Sequence, residues 1–138
     1  MALHKFGAAQ LLAAAYTRLT TSALTSAYTI YNYAVPSATM PYVTLGGMIG
    51  GKSPGFTSTD IKGQDIVLHA HVWSNYQGDA EVSAMMDNVV QALTGSDLSI
   101  SGYTNLIGIA DFAQVLVDAT DPNNIIRHGV LRFRFQIA

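Results

Sequence analysis

The chain of 138 residues contains no cysteine. That excludes disulfides and thiolate zinc sites, and it fits a reducing compartment or indifference to redox. Charge is also scarce: Asp, Glu, Lys and Arg make up 12% of the chain, against a usual share of about 25%. The net charge of −2 disfavours general nucleic-acid binding, which needs clustered Lys and Arg. No apolar run approaches the ~20 residues of a membrane helix, so no membrane partner is expected. Phe6–Tyr16 imitates a signal peptide, but Gln10 interrupts the run and Arg18 follows soon after. An amphipathic structural helix is the better reading. Catalytic signatures are missing as well. No Ser lies in a nucleophile-elbow context, and no Ser–His–carboxylate set is apparent. Neither an enzyme nor a cofactor is expected.

What is present is apolar. Hydrophobic residues reach 49%, and a soluble monomer normally covers itself with charge. Part of the surface is therefore expected to be buried in an oligomer. A surface rich in Ser, Thr, Asn and Gly is the alternative. The length predicts one domain over 1–138, large enough for a real core.

The strand at Asp65–Ser74 is the most informative stretch. Side chains alternate across a strand. Ile66, Leu68, Ala70 and Val72 therefore form a core face, while Val67, His69, His71 and Trp73 form a bulky amphipathic one. Solvent alone does not require such a face, and it implies a neighbour. The last strand, Ile126–Ile137, repeats the pattern. Leu131, Phe133, Phe135 and Ile137 belong to the core, and Val130, Arg132, Arg134 and Gln136 share the side of His69 and His71 if the two strands lie in one sheet.

The remaining elements follow from periodicity and turn chemistry. Residues 3–21 read as a helix with Leu12, Ala15, Tyr16 and Leu19 on one face. Ile30–Tyr33 is a short strand that Val35-Pro36 ends. Pro41–Ile49 is a second strand, with Pro41 in a position where its missing N–H costs little. Gly50–Gly63 has the composition of a mobile loop, of a length that is usually functional or disordered. A helix is expected over about 77–94, capped by Ser74 with Gln77 or by Asn75. Its apolar face is Val82, Met85, Met86, Val89 and Leu93, and Gly95 serves as C′ residue. Leu98–Ser101 is a short strand. Tyr103–Asp118 is a long strand bent near Ala113, and Asp121-Pro122-Asn123-Asn124 turns into the last strand. This order predicts an α+β fold, a mostly antiparallel β-sheet with two α-helices packed on one face.

Four groups of residues invite a chemical reading. His69 and His71 have a spacing that can ligate a metal, but two ligands are not a site. Two half-buried histidines at an interface or on a solvated sheet face are the plainer reading. Gly46, Gly51, Lys52 and Ser53 match the phosphate-loop spacing GxxxxGK[ST], which requires a helix opening at Lys52. Pro54-Gly55 argues against that helix, so a nucleotide-binding or hydrolase domain is the weakest reading. Arg127, Arg132 and Arg134 form the basic cluster. It is either a solvated, salt-bridged sheet face or a contact with a neighbouring subunit or with nucleic acid lining a pore. Phe56 is a lone aromatic in the loop, either a partner anchor or a residue tucked onto its own core.

The ordered set of features resembles the tail completion, or tail terminator, proteins of long-tailed bacteriophages. The resemblance runs through the Ala/Leu-rich opening helix, Ile30-Tyr31, Val35-Pro36 and Met40-Pro41-Tyr42-Val43. It continues through Val72-Trp73-Ser74, Gln77-Gly78-Asp79-Ala80-Glu81 and the close Arg127-His128-Gly129-Val130-Leu131-Arg132-Phe133-Arg134-Phe135. It implies a homo-oligomeric ring, commonly a hexamer, that caps the tail tube, ends its polymerisation and meets the head connector. The implied partners are a second copy of the chain, the tail tube protein, the head–tail connector protein, and DNA passing through the lumen without sequence-specific binding. A head-closure or adaptor protein of the same connector is the alternative. The implied place is the virion tail, assembled in the host bacterial cytoplasm. Lys52, Ser53, Pro54 and Phe56 in the loop, with His69, His71 and Trp73 on the outer sheet face, are the expected subunit or tube contacts. Arg127, Arg132 and Arg134 are the expected sheet-face or lumen cations.

Overall fold

The computed structural model describes residues 7–31, 40–52, 63–76, 78–118 and 125–138. Helix α1 covers Ala8–Thr21 and is followed by a 3₁₀ turn at Ala23–Thr25. Strands β1 (Thr29–Tyr31), β2 (Tyr42–Lys52) and β3 (Gln64–Ser74) come next, then helix α2 (Ala80–Thr94), and strands β4 (Asn105–Asp118) and β5 (Ile126–Ile137). The five strands form one sheet in the order β1-β2-β3-β5-β4. Only the β1–β2 pair is parallel. The expected α+β architecture is therefore the observed one.

Alternation places the core. Ile66, Leu68, Ala70 and Val72 of β3 and Leu131, Phe133, Phe135 and Ile137 of β5 are all fully buried. They pack with Leu11, Ala15 and Leu19 of α1 and Val82, Met85, Val89 and Leu93 of α2. Burying side chains of this size stabilises the fold by about 1.5–3 kcal/mol each. The approach of α2 to the sheet has one tight point. A Cβ on Gly129 would stand 2.6 Å from Val72 Cγ2 and 2.7 Å from Met86 Sδ, so only glycine fits there.

Polar contacts fix the helix ends. Arg18 in the last turn of α1 donates from Nη1 to Ala92 O at 3.1 Å and Ser96 Oγ at 2.9 Å, and from Nη2 to Asp97 O at 2.8 Å. One guanidinium thus satisfies carbonyls at the C-terminal end of α2, where orphan acceptors accumulate. Thr25, itself buried, donates its hydroxyl to Leu19 O at the end of α1.

Several sequence expectations need correction. The buried stripe of α1 is Leu11, Ala15 and Leu19, with Leu12 and Tyr16 only half-buried. In an Ala-rich helix two adjacent stripes look alike, and tertiary packing chooses between them. Helix α2 opens at Ala80 with Asp79 at its N-cap rather than near Gln77. Ser74 does not cap it. Its hydroxyl donates to Glu81 Oε1 at 2.7 Å and accepts from Tyr76 N at 3.2 Å. Gly95 is not left-handed: φ is −69° and its N–H bonds to Gln91 O. With Arg18 satisfying the end carbonyls, a left-handed cap is not needed. Leu98–Ser101 forms only an isolated bridge between Ile100 and Tyr103. The long strand starts at Asn105, and its register shifts between Ala110 and Phe112, close to the expected bend.

The largest correction concerns the glycine-rich segment. Gly50, Gly51 and Lys52 continue β2 and pair with Ile66, Asp65 and Gln64. The long β3 offers a hydrogen-bonding partner to every one of these residues, and that ladder overrides a composition that reads locally as loop. Residues 53–62 of the expected loop lie outside the described residues. So do residues 3–6, Val35-Pro36, Gln77 and the turn at Asp121–Asn124.

Candidate functional site: the outer sheet face and the β4 edge

Both helices sit on one side of the sheet, which leaves the other side as the place for a partner. Directly paired residues of antiparallel strands point the same way. The outer face therefore carries Tyr42 and Thr44 from β2, Val67, His69, His71 and Trp73 from β3, His128, Val130, Arg132 and Arg134 from β5, and Ile107, Ile109, Phe112 and Leu116 from β4. All the strand-face residues expected from sequence, His69, His71 and Trp73, are here, each half-buried.

An aromatic row crosses this face. Tyr31 meets Tyr42 edge to face, and Tyr42 stacks on Trp73 with centroids 5.8 Å apart. Trp73 stacks on His128 at 3.8 Å with planes 7° apart. Cross-strand aromatic pairs of this kind contribute about 0.5–1.5 kcal/mol beyond area burial. His128 Nε2 also lies 2.7 Å from His71 Nδ1. Burial pushes the pKa of both imidazoles down, helped by His69 for His71 and by His71 for His128. Burial likewise raises the Tyr42 phenol, with Tyr31 adding to the effect.

The basic residues do not form one cluster. Arg132 and Arg134 occupy the outer face beside β4. Arg132 Nε donates to Asp111 Oδ1 at 2.9 Å, and Arg134 Nε stands 3.9 Å from Asp111 Oδ2. The Arg132 hydrogen bond holds the Asp111 carboxyl below its usual pKa. Arg132 also lies over the Phe112 ring at 5.4 Å. Arg127 is an odd number of residues from both and so faces the helix side. There it bonds Asp79 Oδ1 at 2.7 Å and Tyr76 O at 3.1 Å, tying the start of α2 to β5. It acts as a brace.

The contact surface that the sequence does not announce is on β4, a strand expected from its pattern but not as a site. This strand forms an edge of the sheet, is 14 residues long, and is paired only on its β5 side among the described residues. Ile107 is 49% exposed, Ile109 47%, Phe112 42% and Leu116 44%. Their helix-side neighbours on the same strand are the small Gly108, Ala110 and Ala113, followed by Val115, packed against the core, and Val117, 55% exposed. Between Ile107 and Ala113, large residues on the uncovered side and small ones on the helix side invert the ordinary arrangement. That alternation is visible in the sequence, but a strand apolar on both sides does not reveal which side is outward.

Of the loop residues expected to make contacts, Ser53, Pro54 and Phe56 lie outside the described residues. Lys52 is the last residue of β2 and pairs with Gln64. A phosphate loop needs this lysine at the opening of a helix, so the nucleotide-binding reading fails on geometry. Among the described residues no group of three His, Asp or Glu is placed to hold a metal ion. No helix among them is long and apolar enough to cross a membrane.

Comparison with known proteins gives a consistent picture. A family model described as tail completion protein gp17 matches residues 9–138. The chain is 31% identical over 97 residues to the tail completion protein gp17 of Bacillus phage SPP1, which covers 70% of this chain and 67% of that protein. Among solved structures, a chain of the virion of a native gene transfer agent particle superposes with a TM-score of 0.77 at 24% identity, covering 94% of this chain and 96% of that one. The structure of bacteriophage SPP1 gp17 gives a TM-score of 0.59 at 24% identity, covering 98% and 95%. At that identity the two structures speak for the fold.

Proposed function

The chain belongs to the tail completion protein gp17 family, and from that premise we propose that it works as a closed ring, hexameric in the simplest case, seated on the end of a phage tail tube. The ring stops tube growth and offers its opposite surface to the head connector. The role is architectural, and DNA crosses the lumen without being read. The protein is a virion component in this reading, assembled in the host cytoplasm before it joins the particle.

One observation carries the ring: the 14-residue β4 edge, unpaired on its outer side among the described residues, with its exposed apolar row. A long hydrophobic edge strand is an invitation to pair with another chain, and monomeric proteins blunt such edges. Here two polar residues interrupt the exposed row, Asp111, which Arg132 engages, and Gln114. A ring needs two unlike surfaces on each copy. We assign one to β4 with Arg132 and Arg134, and the other to the aromatic row with His69, His71 and Trp73. We retain Lys52, Ser53, Pro54 and Phe56 as contacts to the tube. Low overall charge supports this role, since a strongly basic lumen would grip passing phosphates.

The test is localisation during assembly. The labelled protein should bind the ends of tail tubes purified without heads. Binding instead to DNA-filled heads that lack tails would overturn the terminator role and leave an adaptor on the portal side.

A further inference from the structure

We propose that His71 and His128 form a one-proton latch on the outer sheet face, which holds the Trp73 stack closed while it carries a single shared proton or none and opens when a second proton is added. The inference stands on contact geometry within one copy of the chain, at a surface that the proposed function assigns to a ring contact.

The two ring nitrogens are 2.7 Å apart, and the ring centroids 4.9 Å. A centroid lies about 1.1 Å from its own ring nitrogen by ordinary bond lengths, so the two nitrogens meet nearly head-on. Such a contact needs one nitrogen with a hydrogen and one with a free lone pair. Two neutral imidazoles satisfy it, because each has one N–H and one acceptor. Adding one proton also satisfies it, since the bridging nitrogen on one ring still accepts. Adding a second makes every ring nitrogen a donor. Two N–H groups then point at each other across the same gap, with like charges on both rings, and the contact must break.

Among the described side chains, the surroundings offer no relief. From β3, His69 faces the same side, two residues from His71. From β5, Arg132 brings a further cation. From β2 come Tyr42 and Thr44, and β1 adds Tyr31, none of them a carboxylate. β4 brings two carboxylate residues near the pair: Asp111, which Arg132 already engages, and Asp118, whose strand position pairs with Ile126, two residues from His128. Burial also disfavours charge on both imidazoles. Opening the latch separates His128 from a stack in which it lies 3.8 Å from Trp73. It places two new charges in the middle of an otherwise aromatic surface. The sign follows from the lowered pKa values. Folded-state stability from the pair is complete above the ordinary histidine value of about 6.5, and is lost as pH falls from there through the lowered folded values.

Trp73 is the sole tryptophan of the chain, so its emission reads the latch directly. Titration of the intact protein from pH 8 to 4.5 should show a step in Trp73 emission while far-UV circular dichroism stays constant. Ring-nitrogen NMR should show the second proton binding at least about tenfold more weakly than the first, the mark of coupled sites. His128→Gln should abolish the emission step and reduce His71 to a single titration, and His69→Gln should leave both intact. Flat emission in the wild-type protein would overturn the latch. So would His71 titrating identically in wild type and His128→Gln. Should His128→Gln not fold, His71→Gln provides the same comparison from the other ring.

Discussion

The two faces of the sheet are drawn from alternate residues of the same strands, yet they are built to opposite rules. On the helix side, Phe133 and Phe135 are fully buried, and Gly129 lets α2 settle onto the strand. On the outer side, Ile109 and Phe112 remain nearly half exposed, interleaved with Arg132, Arg134 and histidines. Over β3 and β5 the first face is finished by the chain itself. The second is finished, in our reading, only when another chain arrives. Stability and assembly are therefore assigned to different sides of one sheet, and substitutions should separate them.

The largest effect is expected on the covered side. Phe133→Ala removes a fully buried ring and should cost about 3–5 kcal/mol, read as a lower denaturant midpoint at unchanged slope. Gly129→Ala forces a methyl group into the 2.6 Å approach of Val72 and Met86, and should cost about 1–3 kcal/mol. The outer side should answer differently. Phe112→Asp should change folding stability by no more than about 0.5 kcal/mol while sharply lowering self-association on a sizing column. Arg132→Glu should have the smallest effect on folding, since the Asp111 pair is exposed to solvent. It should still disturb assembly, because it sets two carboxylates side by side on the proposed contact surface. A large stability loss from Phe112→Asp, with association unchanged, would break the comparison.

The covered face was legible in the sequence because burial enforces alternation. Ile66 to Val72 and Leu131 to Ile137 could be assigned without coordinates, and the last strand has the expected bounds. The outer face was legible in part. His69, His71 and Trp73 were placed together, but His128 joins them only because β5 runs antiparallel beside β3. That register brings residues 57 apart in sequence into contact. Arg127 was grouped with Arg132 and Arg134 by proximity in sequence, whereas strand parity sends it to the other side. The three glycine-region residues of β2 have the composition of a loop yet form strand, because composition reports local preference while the ladder to β3 is a long-range fact. Arg18 bridging to the end of α2 left no sequence signal, since its partners are mostly backbone carbonyls 74–79 residues away.

The most direct test is the mass of the protein in solution by light scattering, over a series of concentrations, for wild type beside Phe112→Asp. The account predicts that wild type reaches a mass near a small whole-number multiple of 14.7 kDa, six in the simplest ring, while Phe112→Asp stays folded at the monomer mass. Equal masses for the two proteins at every concentration would contradict the claim that the outer face and the β4 edge are where copies of this chain meet.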